Sequence, residues 1–582
     1  MDPRIIPFLQ SHSTIIVVSS TVAISLALAL KWVRPKPLPG IPHHPITSFW
    51  GDLPAMAAAA KENGTIYEHG SFFERSMREL GPVFQIFIGP FSKTIVITDP
   101  QEIEDLHLRE RSKFIDASDV LIRGFQSTIP LGQVAMKTND VWRKHRRITA
   151  PIVSSKYLNQ LAPVIDHNTR LLVEYWEKKI EIVRREGGTC FACAGDFQNS
   201  ALDMISQIIA GRSLQAIPNA ISHLSKAEPT RNAQGALTFP IPGVALLDAT
   251  HYLFRCIGDA VTLPPVLSTV YQKVLSLTPR FRHHYGVICD HIDSCLADCR
   301  RDVQQARALG EDPDLAESML GMIAAREGTP GQDDMSDKEI RDEVLTSFFA
   351  GHDTSALSMQ WCMKFLTDSP HIQKAMHEEL VAAIGDPALE RKPLTFADVS
   401  SEKTPYLEAV VIELLRCARV AEGTSKQTTA DIILLGYHIP ANTDLIFPMT
   451  SNQVNDESME KVLHTFDNVR SAASKEQGPN ARRPWKNGKE FDPERWLVDN
   501  GDGTKRFNAR AGFANPFGQG VRACAGKQLA LLELKMYIAA LNLAFFLDKI
   551  PEELSSYAAQ INVTRSPIYA YVNPKPWKEV QA

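Results

Sequence analysis

A mostly helical protein with a small β-sheet is what the 582-residue sequence predicts, and three observations carry that expectation. Residues 157–185, 279–308 and 336–368 are long stretches with helical composition and no competing strand pattern. Strand signals are few; the clearest is 83–97, which alternates and turns around Gly89-Pro90 like a hairpin. Residues 14–30 form an unbroken run of apolar and small polar side chains. The composition is that of a globular protein, with 44% hydrophobic and 22% charged residues. A net charge of -5 gives no reason to expect nucleic acid. The nine cysteines are too scattered for a disulfide framework, and the length allows several domains or one large one.

The run at 14–30 is at the lower end of the ~17–25 residues that cross a bilayer, and Lys31 and Trp32 can extend it as interfacial anchors. A cleaved signal peptide is the competing reading. The segment before the run is only weakly basic (Asp2, Arg4), and no small-residue cleavage site follows. Lys31, Arg34 and Lys36 follow instead, and positive charge there keeps the remainder cytoplasmic. The sequons at Asn63 and Asn562 would then stay unused. The expected organisation is a membrane anchor over 1–33, a stiff proline-rich hinge over 34–45 and a folded domain over 46–582.

Trp142 and Arg146 are one helical turn apart within a basic cluster that also holds Arg143, Lys144 and Arg147. A solvated basic helix face is the plain reading of that cluster. Cys190-x-x-Cys193 has no second ligand pair and reads as a loop or core pair; Cys295 and Cys299 lie one helical turn apart. Residues 239–266 are apolar, poorly periodic and interrupted by prolines, which reads as a core loop. The 336–368 helix begins with a Ser336-x-x-Glu339 capping box and stops before Pro370. Its middle carries Ala350-Gly351-His352-Asp353-Thr354-Ser355, where a glycine weakens the helix and an Asp–Thr pair sits beside it. Glu413 and Arg416 are helix neighbours in a segment starting near Pro405. The polar stretch 457–484 reads as a surface insertion.

Near the C-terminus, Cys524 lies in a glycine-bracketed loop ahead of a helix expected over 527–546. A thiolate is a strong soft ligand for iron. A helix N-terminus favours the thiolate form. Gly520 and Gly526 permit backbone geometry that a Cβ would block, and Arg522 is a fixed cation two residues before the sulfur. A buried, inert cysteine is one alternative. Gly518-x-Gly520-x-x-Ala523 also satisfies a dinucleotide fingerprint, but that needs a preceding strand, a βαβ unit and an acidic residue further on.

The pattern Phe517-x-x-Gly520-x-Arg522-x-Cys524-x-Gly526 resembles the haem-binding signature of the cytochrome P-450 family. The resemblance implies a helical bundle around haem b with a small β-sheet, preceded by one N-terminal transmembrane helix. Cys524 would be the axial iron ligand, with Phe517, Gly520, Arg522 and Gly526 shaping its loop. Trp142 and Arg146 would bind a propionate, and Lys426 would stand where the family commonly has arginine. Glu413 and Arg416, completed by Arg495, match the family's buried structural network. In the central helix, Gly351 would make room over the haem, Thr354 would hydrogen-bond oxygen and Asp353 would relay protons. Pocket walls carried over by position are Phe125, Ile129, Phe348, Phe349, Ala421 and Thr424.

The implied activity is that of a monooxygenase adding one oxygen atom from O2 to a lipophilic substrate, as in microsomal fungal members that make terpenoid or polyketide secondary metabolites. NADPH-cytochrome P-450 reductase, with cytochrome b5 as a second donor, would supply electrons at the endoplasmic reticulum membrane, where the chain would be single-pass. Arg143, Lys144 and Arg147 would help dock an acidic donor. The alternatives are a haem-thiolate isomerase or dehydratase needing no reductase, and a non-enzymatic haem binder.

Overall fold

The computed structural model describes residues 20, 25, 35–62, 70–89, 93–226, 228–311, 318–331, 333–385, 392–449, 457–476, 485 and 487–580. The expected transmembrane segment, with residues 1–19, 21–24 and 26–34, lies outside them. Among the described residues no helix is long and apolar enough to cross a membrane. The proline-rich stretch ends against the folded body. Ile41 is buried beside Ile95 and Leu445, and the Gln85 amide N–H donates to the Pro42 carbonyl at 2.8 Å.

Helices dominate. Those that position the site are α1 (Asp119–Phe125), α2 (Asp140–Thr149), α3 (Ser155–Arg185), α4 (Ala194–Ala210), α5 (Ala245–Thr262), α6 (Pro265–Leu277), α7 (Pro279–Leu309), α8 (Asp337–Thr367), α9 (Pro405–Ala418) and α10 (Lys527–Ala544). Local chemistry sets their starts. Ser336 accepts the Glu339 N–H while the Glu339 side chain accepts the Ser336 N–H, so the expected capping box opens α8. Asn139 caps α2 and Ser154 caps α3 through their side-chain oxygens. The expected core loop over 239–266 is overturned from Ala245 onward, where α5 and α6 form. Its prolines punctuate rather than interrupt: Pro240 and Pro242 precede α5, and Pro265 occupies the first turn of α6.

The main sheet has the strands β1 (Val83–Ile86), β2 (Thr94–Ile97), β3 (Ile115–Ala117), β4 (Gly423–Thr428) and β5 (Asp444–Pro448), in the order β1-β2-β5-β4-β3. β1 and β2 pair antiparallel as the expected hairpin; Gly89 has a φ of +86°, and Pro90 is outside the described residues. Thr424 of β4 sits opposite Phe447 of β5, and Lys426 of β4 opposite Ala117 of β3. A second five-stranded sheet contains Phe545–Asp548 and Tyr571–Pro576. α8 packs against α4, α9 and α10, and its residues from Ser355 to Met363 are buried without a break. That is why α8 shows no amphipathic stripe: it runs through the centre of the bundle.

Candidate active site

The cysteine loop is built from its glycines. Gly520 has a φ of +73°, and a Cβ there would lie 2.2 Å from the His107 carbonyl oxygen. Only glycine allows that approach. The Cys524 N–H donates to the Phe517 carbonyl at 2.8 Å, which closes the loop. Of the nine cysteines, all among the described residues, Cys524 alone is exposed. It stands in a recess. The surrounding protein pushes the thiol up, while the N–H groups of Gly526 and Lys527 and the Arg146 cation act in the opposite sense. At Gly526 a Cβ would meet no protein atom within 4 Å. The strand ahead of the loop, Lys505–Phe507, pairs antiparallel with Leu497–Asp499, so the βαβ unit of a dinucleotide fingerprint is absent here.

Three cations converge on this recess. The Arg146 Nη2 donates to the Ala523 carbonyl at 3.1 Å. Arg522 lies over the Trp142 ring at 4.9 Å, donates to the Gln133 carbonyl at 3.0 Å and sits 3.9 Å from Asp116. Lys426 is brought down to about 8, first by burial and then by Arg522, with Asp116 opposing. A half-buried lysine and two arginines gather here with one carboxylate, Asp116, which favours anionic groups. His107 packs edge-on against Phe447, with its Nε2 buried and unbonded; burial, helped by Lys426, holds the ring down at about 4.

The remaining basic residues of α2 are taken up locally. Arg143 pairs with Asp140 at 2.8 Å, Lys144 with Glu339 at 2.8 Å and Arg147 with Asp333 at 2.7 Å. Their charge is therefore partly offset within the protein, which weakens them as a positive docking surface.

Glu413, Arg416 and Arg495 form one buried network. Arg416 donates to both Glu413 oxygens at 2.7 Å, and Arg495 Nε adds a bond at 3.0 Å. Trp496 Nε1, at 2.9 Å, and the Asp492 N–H, at 2.9 Å, complete the carboxylate's shell. Arg416 reaches outward to the carbonyls of Gly488 and Glu490. The network thus ties α9 to the segment leading to the cysteine loop.

On α8 the Asp–Thr pair divides between two environments. Thr354 is exposed in part, and its hydroxyl donates to the Ala350 carbonyl at 2.5 Å. Asp353 is buried, accepts the Thr564 hydroxyl at 2.6 Å and is pushed up by burial against the influence of Thr564, His251 and Gln198. Gly351 serves helix packing: a Cβ would lie 2.5 Å from the Ile205 Cδ1 of α4, so the room it leaves is filled by Ile205. Ser355 donates to Glu533 of α10 at 2.8 Å. Glu533 is fully enclosed, and burial raises its carboxyl to about 7. Sequence reasoning missed this link. A lone glutamate at an apolar position of α10 is the signal that could have found it.

Of the residues carried over as pocket walls, Phe125, Ile129, Phe348 and Phe349 belong to one buried apolar cluster, whereas Ala421 and Thr424 lie outside it. Ile129 is 0% exposed and Phe348 1%, and the Phe348 ring faces His291 of α7 at 6.1 Å, so both are core. Phe349 packs on Phe254 of α5, and Phe125 is buried on α1. Ala421 is exposed, and Thr424 lies beside Gly518 of the cysteine loop, whose Cβ would be 3.8 Å from the Thr424 methyl.

A helical bundle with a small sheet, an exposed cysteine in a glycine-shaped loop and a converging set of cations defines the haem-thiolate class of fold. The cytochrome P-450 family model matches residues 64–459 and 481–564, and the chain belongs to the cytochrome P-450 family. The break in the match falls within the polar stretch 457–484. The cytochrome P-450 monooxygenase TRI13 of Fusarium sporotrichioides is 27% identical over 95% of this chain and 97% of its own length. The cytochrome P-450 monooxygenase xilC of Penicillium rubens is 28% identical over 93% and 92%. A cytochrome P-450 monooxygenase of Dothistroma septosporum named for the Hps1-dma1 cluster is 30% identical over 40% of this chain and 77% of its own length. The chain is a cytochrome P-450 monooxygenase whose cofactor is haem held by a cysteine thiolate.

Proposed function

We propose that the chain is a membrane-anchored monooxygenase that hydroxylates or epoxidises a lipophilic substrate in fungal secondary metabolism, of terpenoid or polyketide type. The observation that carries the site assignment is Cys524, the one exposed cysteine, in a loop that Gly520 permits and Arg146 contacts. Cys524 would supply the thiolate to iron, steadied by the N–H groups of Gly526 and Lys527. Phe517 closes the loop by accepting the Cys524 N–H. Arg146, Arg522, Lys426 and Trp142 would hold the propionates, and they fit because three cations there outnumber one carboxylate. Bound haem supplies oxygen activation, with thiolate donation favouring O–O cleavage.

The chain's own residues manage protons and water. Asp353 is buried and holds a proton more readily than an exposed carboxyl. Thr354 sits beside it, and its hydroxyl must turn from the Ala350 carbonyl to donate elsewhere. NADPH-cytochrome P-450 reductase and cytochrome b5 are the proposed electron donors. The anchor over 1–33 and the hinge over 34–45 place the catalytic domain, 46–582, on the cytoplasmic face of the endoplasmic reticulum. The Asp353–Thr354 pair favours this reading over an isomerase, a dehydratase or a simple haem carrier, none of which has to deliver protons to O2.

A reduced carbon monoxide difference spectrum, recorded beside NADPH-driven turnover, tests both halves. A red-shifted Soret band is expected from wild type, and Cys524→Ala should lose it. Thr354→Ala should keep the band while product formed per NADPH falls. A normal band in Cys524→Ala would end the ligand assignment, and unchanged coupling in Thr354→Ala would end the proton-relay reading.

A further inference from the structure

Behind the Asp–Thr pair, two histidines and a carboxylate meet in a way the haem chemistry does not require. His251 of α5, His352 of α8 and Asp353 each present a ligand atom, and these atoms lie within 4.8 Å of one another. The two imidazole rings are 5.3 Å apart between centroids. His352 is fully buried, and neither of its ring nitrogens has a hydrogen-bond partner. Buried polar groups are rarely left unmet, so a buried imidazole with both nitrogens open calls for a partner. Asp353 has no lysine or arginine partner among the described residues; it accepts from Thr564 and is influenced by Gln198. His251 is bonded at Nε2 to Gln198 at 3.2 Å and keeps contact with solvent, which gives an ion a way in.

We propose that His251, His352 and Asp353 form a binding site for a divalent transition-metal ion of the zinc class, and that occupancy withdraws Asp353 from proton delivery. Two imidazoles and one carboxylate suit zinc, cobalt or nickel and are a poor set for magnesium or calcium. A tetrahedral ion with bonds of about 2.0–2.1 Å needs its ligand atoms roughly 3.4 Å apart. The side chains must therefore close by at most about 1.4 Å. That is within side-chain rotation, and His352 gives up no hydrogen bond in moving. An imidazole with an ordinary value of about 6.5 is mostly neutral at pH 7, so both rings can ligate there. The charged groups facing His251 are Asp353, Asp248 and Arg255. The site leaves the fourth position to water. No covalent or redox step is involved: the ion competes with a proton for the Asp353 carboxylate. The blocking half rests on the reading of Asp353 as the proton relay; the binding half does not.

The test uses the full-length holoenzyme with Zn2+ and Co2+ as probes. One zinc per chain beyond the haem iron is expected by metal analysis, with Co2+ giving the intense visible bands of a four-coordinate ion. His251→Gln and His352→Leu should each lose that ion while keeping the carbon monoxide band, which certifies folding. Zinc should lower product per NADPH by roughly a hundredfold in wild type, the lower range for losing a general acid. It should change that ratio little in the two variants relative to each variant's zinc-free value. Cytochrome c reduction by the reductase alone, measured at the same zinc concentration, locates the effect on this chain. Absence of binding, or binding that survives both substitutions, overturns the site. Binding that the substitutions abolish, with coupling unmoved by zinc in wild type, overturns the blocking half and the relay role of Asp353 with it. Should His352→Leu fail to fold, the surface-reaching His251→Gln decides the question.

Discussion

Glu413 carries more of this molecule's architecture than any residue that touches the reaction. Its two oxygens receive Arg416, Arg495, Trp496 Nε1 and the Asp492 N–H, all in a buried setting. Arg416 is itself 0% exposed. Removing one member of a buried ionic set leaves the others uncompensated, at a cost of roughly 3–5 kcal/mol. Glu413→Gln is therefore expected to lower the thermal midpoint sharply and to yield protein with little bound haem, whereas Thr354→Ala should bind haem normally. Full haem content in Glu413→Gln would show that the network is dispensable. Glu533 makes a second residue-scale case. Its folded value of about 7 lies above the ordinary 4.5, so the folded state holds its proton more tightly than the unfolded chain does. The associated stability is fully present below pH 4.5 and is lost as pH rises through about 7, a loss of up to about 3 kcal/mol. Glu533→Gln keeps an acceptor for Ser355 but cannot ionise. Urea midpoints between pH 4.5 and 8 should fall for wild type relative to this variant, and parallel curves would contradict the assignment.

At the scale of elements, α2 and α8 are joined by a link that sequence spacing could not reveal. His145 of α2 contacts Glu343 at 2.8 Å and Glu339 at 3.1 Å, and Glu339 also takes Lys144. Burial works against the His145 cation, but the two glutamates outweigh it and hold the ring above its ordinary 6.5. Burial likewise opposes the Glu339 charge, yet Lys144, the Ser336 N–H and His145 hold it down at about 2. The His145 contribution is complete below pH 6.5 and is lost as pH rises through its raised folded value. That of Glu339 is complete above 4.5 and is lost as pH falls toward 2. The α2–α8 link is thus strongest from about pH 4.5 to 6.5. Haem retention followed against pH should decline on the alkaline side in wild type and lose that slope in His145→Gln. An unchanged alkaline slope in the variant would remove His145 from the account.

The same elements show why the sequence was legible in some places and silent in others. The boundaries of α8 and the pairing of β1 with β2 rest on contacts between near neighbours: the Ser336–Glu339 box and the Gly89 turn. The cysteine loop was legible for the same reason, since Gly520, Arg522 and Cys524 fall within one short stretch. By contrast, β4 has six residues and is flanked by β5, across an intervening loop, and by β3 from a distant part of the chain, so no local pattern announces it. Phe348 was placed by position, and a helix presents its side chains in different directions at successive residues; this one faces α7. The meeting of His251 with His352, and of Ser355 with Glu533, depends on how α8 crosses α5 and α10, which only the packed bundle fixes.

For the whole molecule, α6 raises the question of which solvent it meets. Its buried residues include Ser268 and Gln272, which bond inward to the Ala260 and Arg123 carbonyls. Apart from Thr269 and Lys273 its outward residues are apolar, with Val266 75% exposed, Val270 53%, Val274 58% and Leu277 66%. A helix with its polar side in and its apolar side out is poorly suited to water, and an apolar strip of this kind marks a binding surface. If the run at 14–30 anchors the chain as proposed, this strip would meet the same bilayer. Each buried valine or leucine side chain contributes about 1.5–3 kcal/mol when withdrawn from water. A chain lacking residues 1–33 should therefore still float with lipid vesicles while keeping its carbon monoxide band. Val270→Glu combined with Val274→Glu should weaken that binding by at least about tenfold without disturbing the band, because both side chains point away from the core. In the full-length chain the double substitution should leave anchoring intact and raise the KM for substrate delivered in vesicles more than for substrate delivered in detergent. Failure of the shortened chain to bind vesicles at all would show that the outward face of α6 meets another partner than lipid.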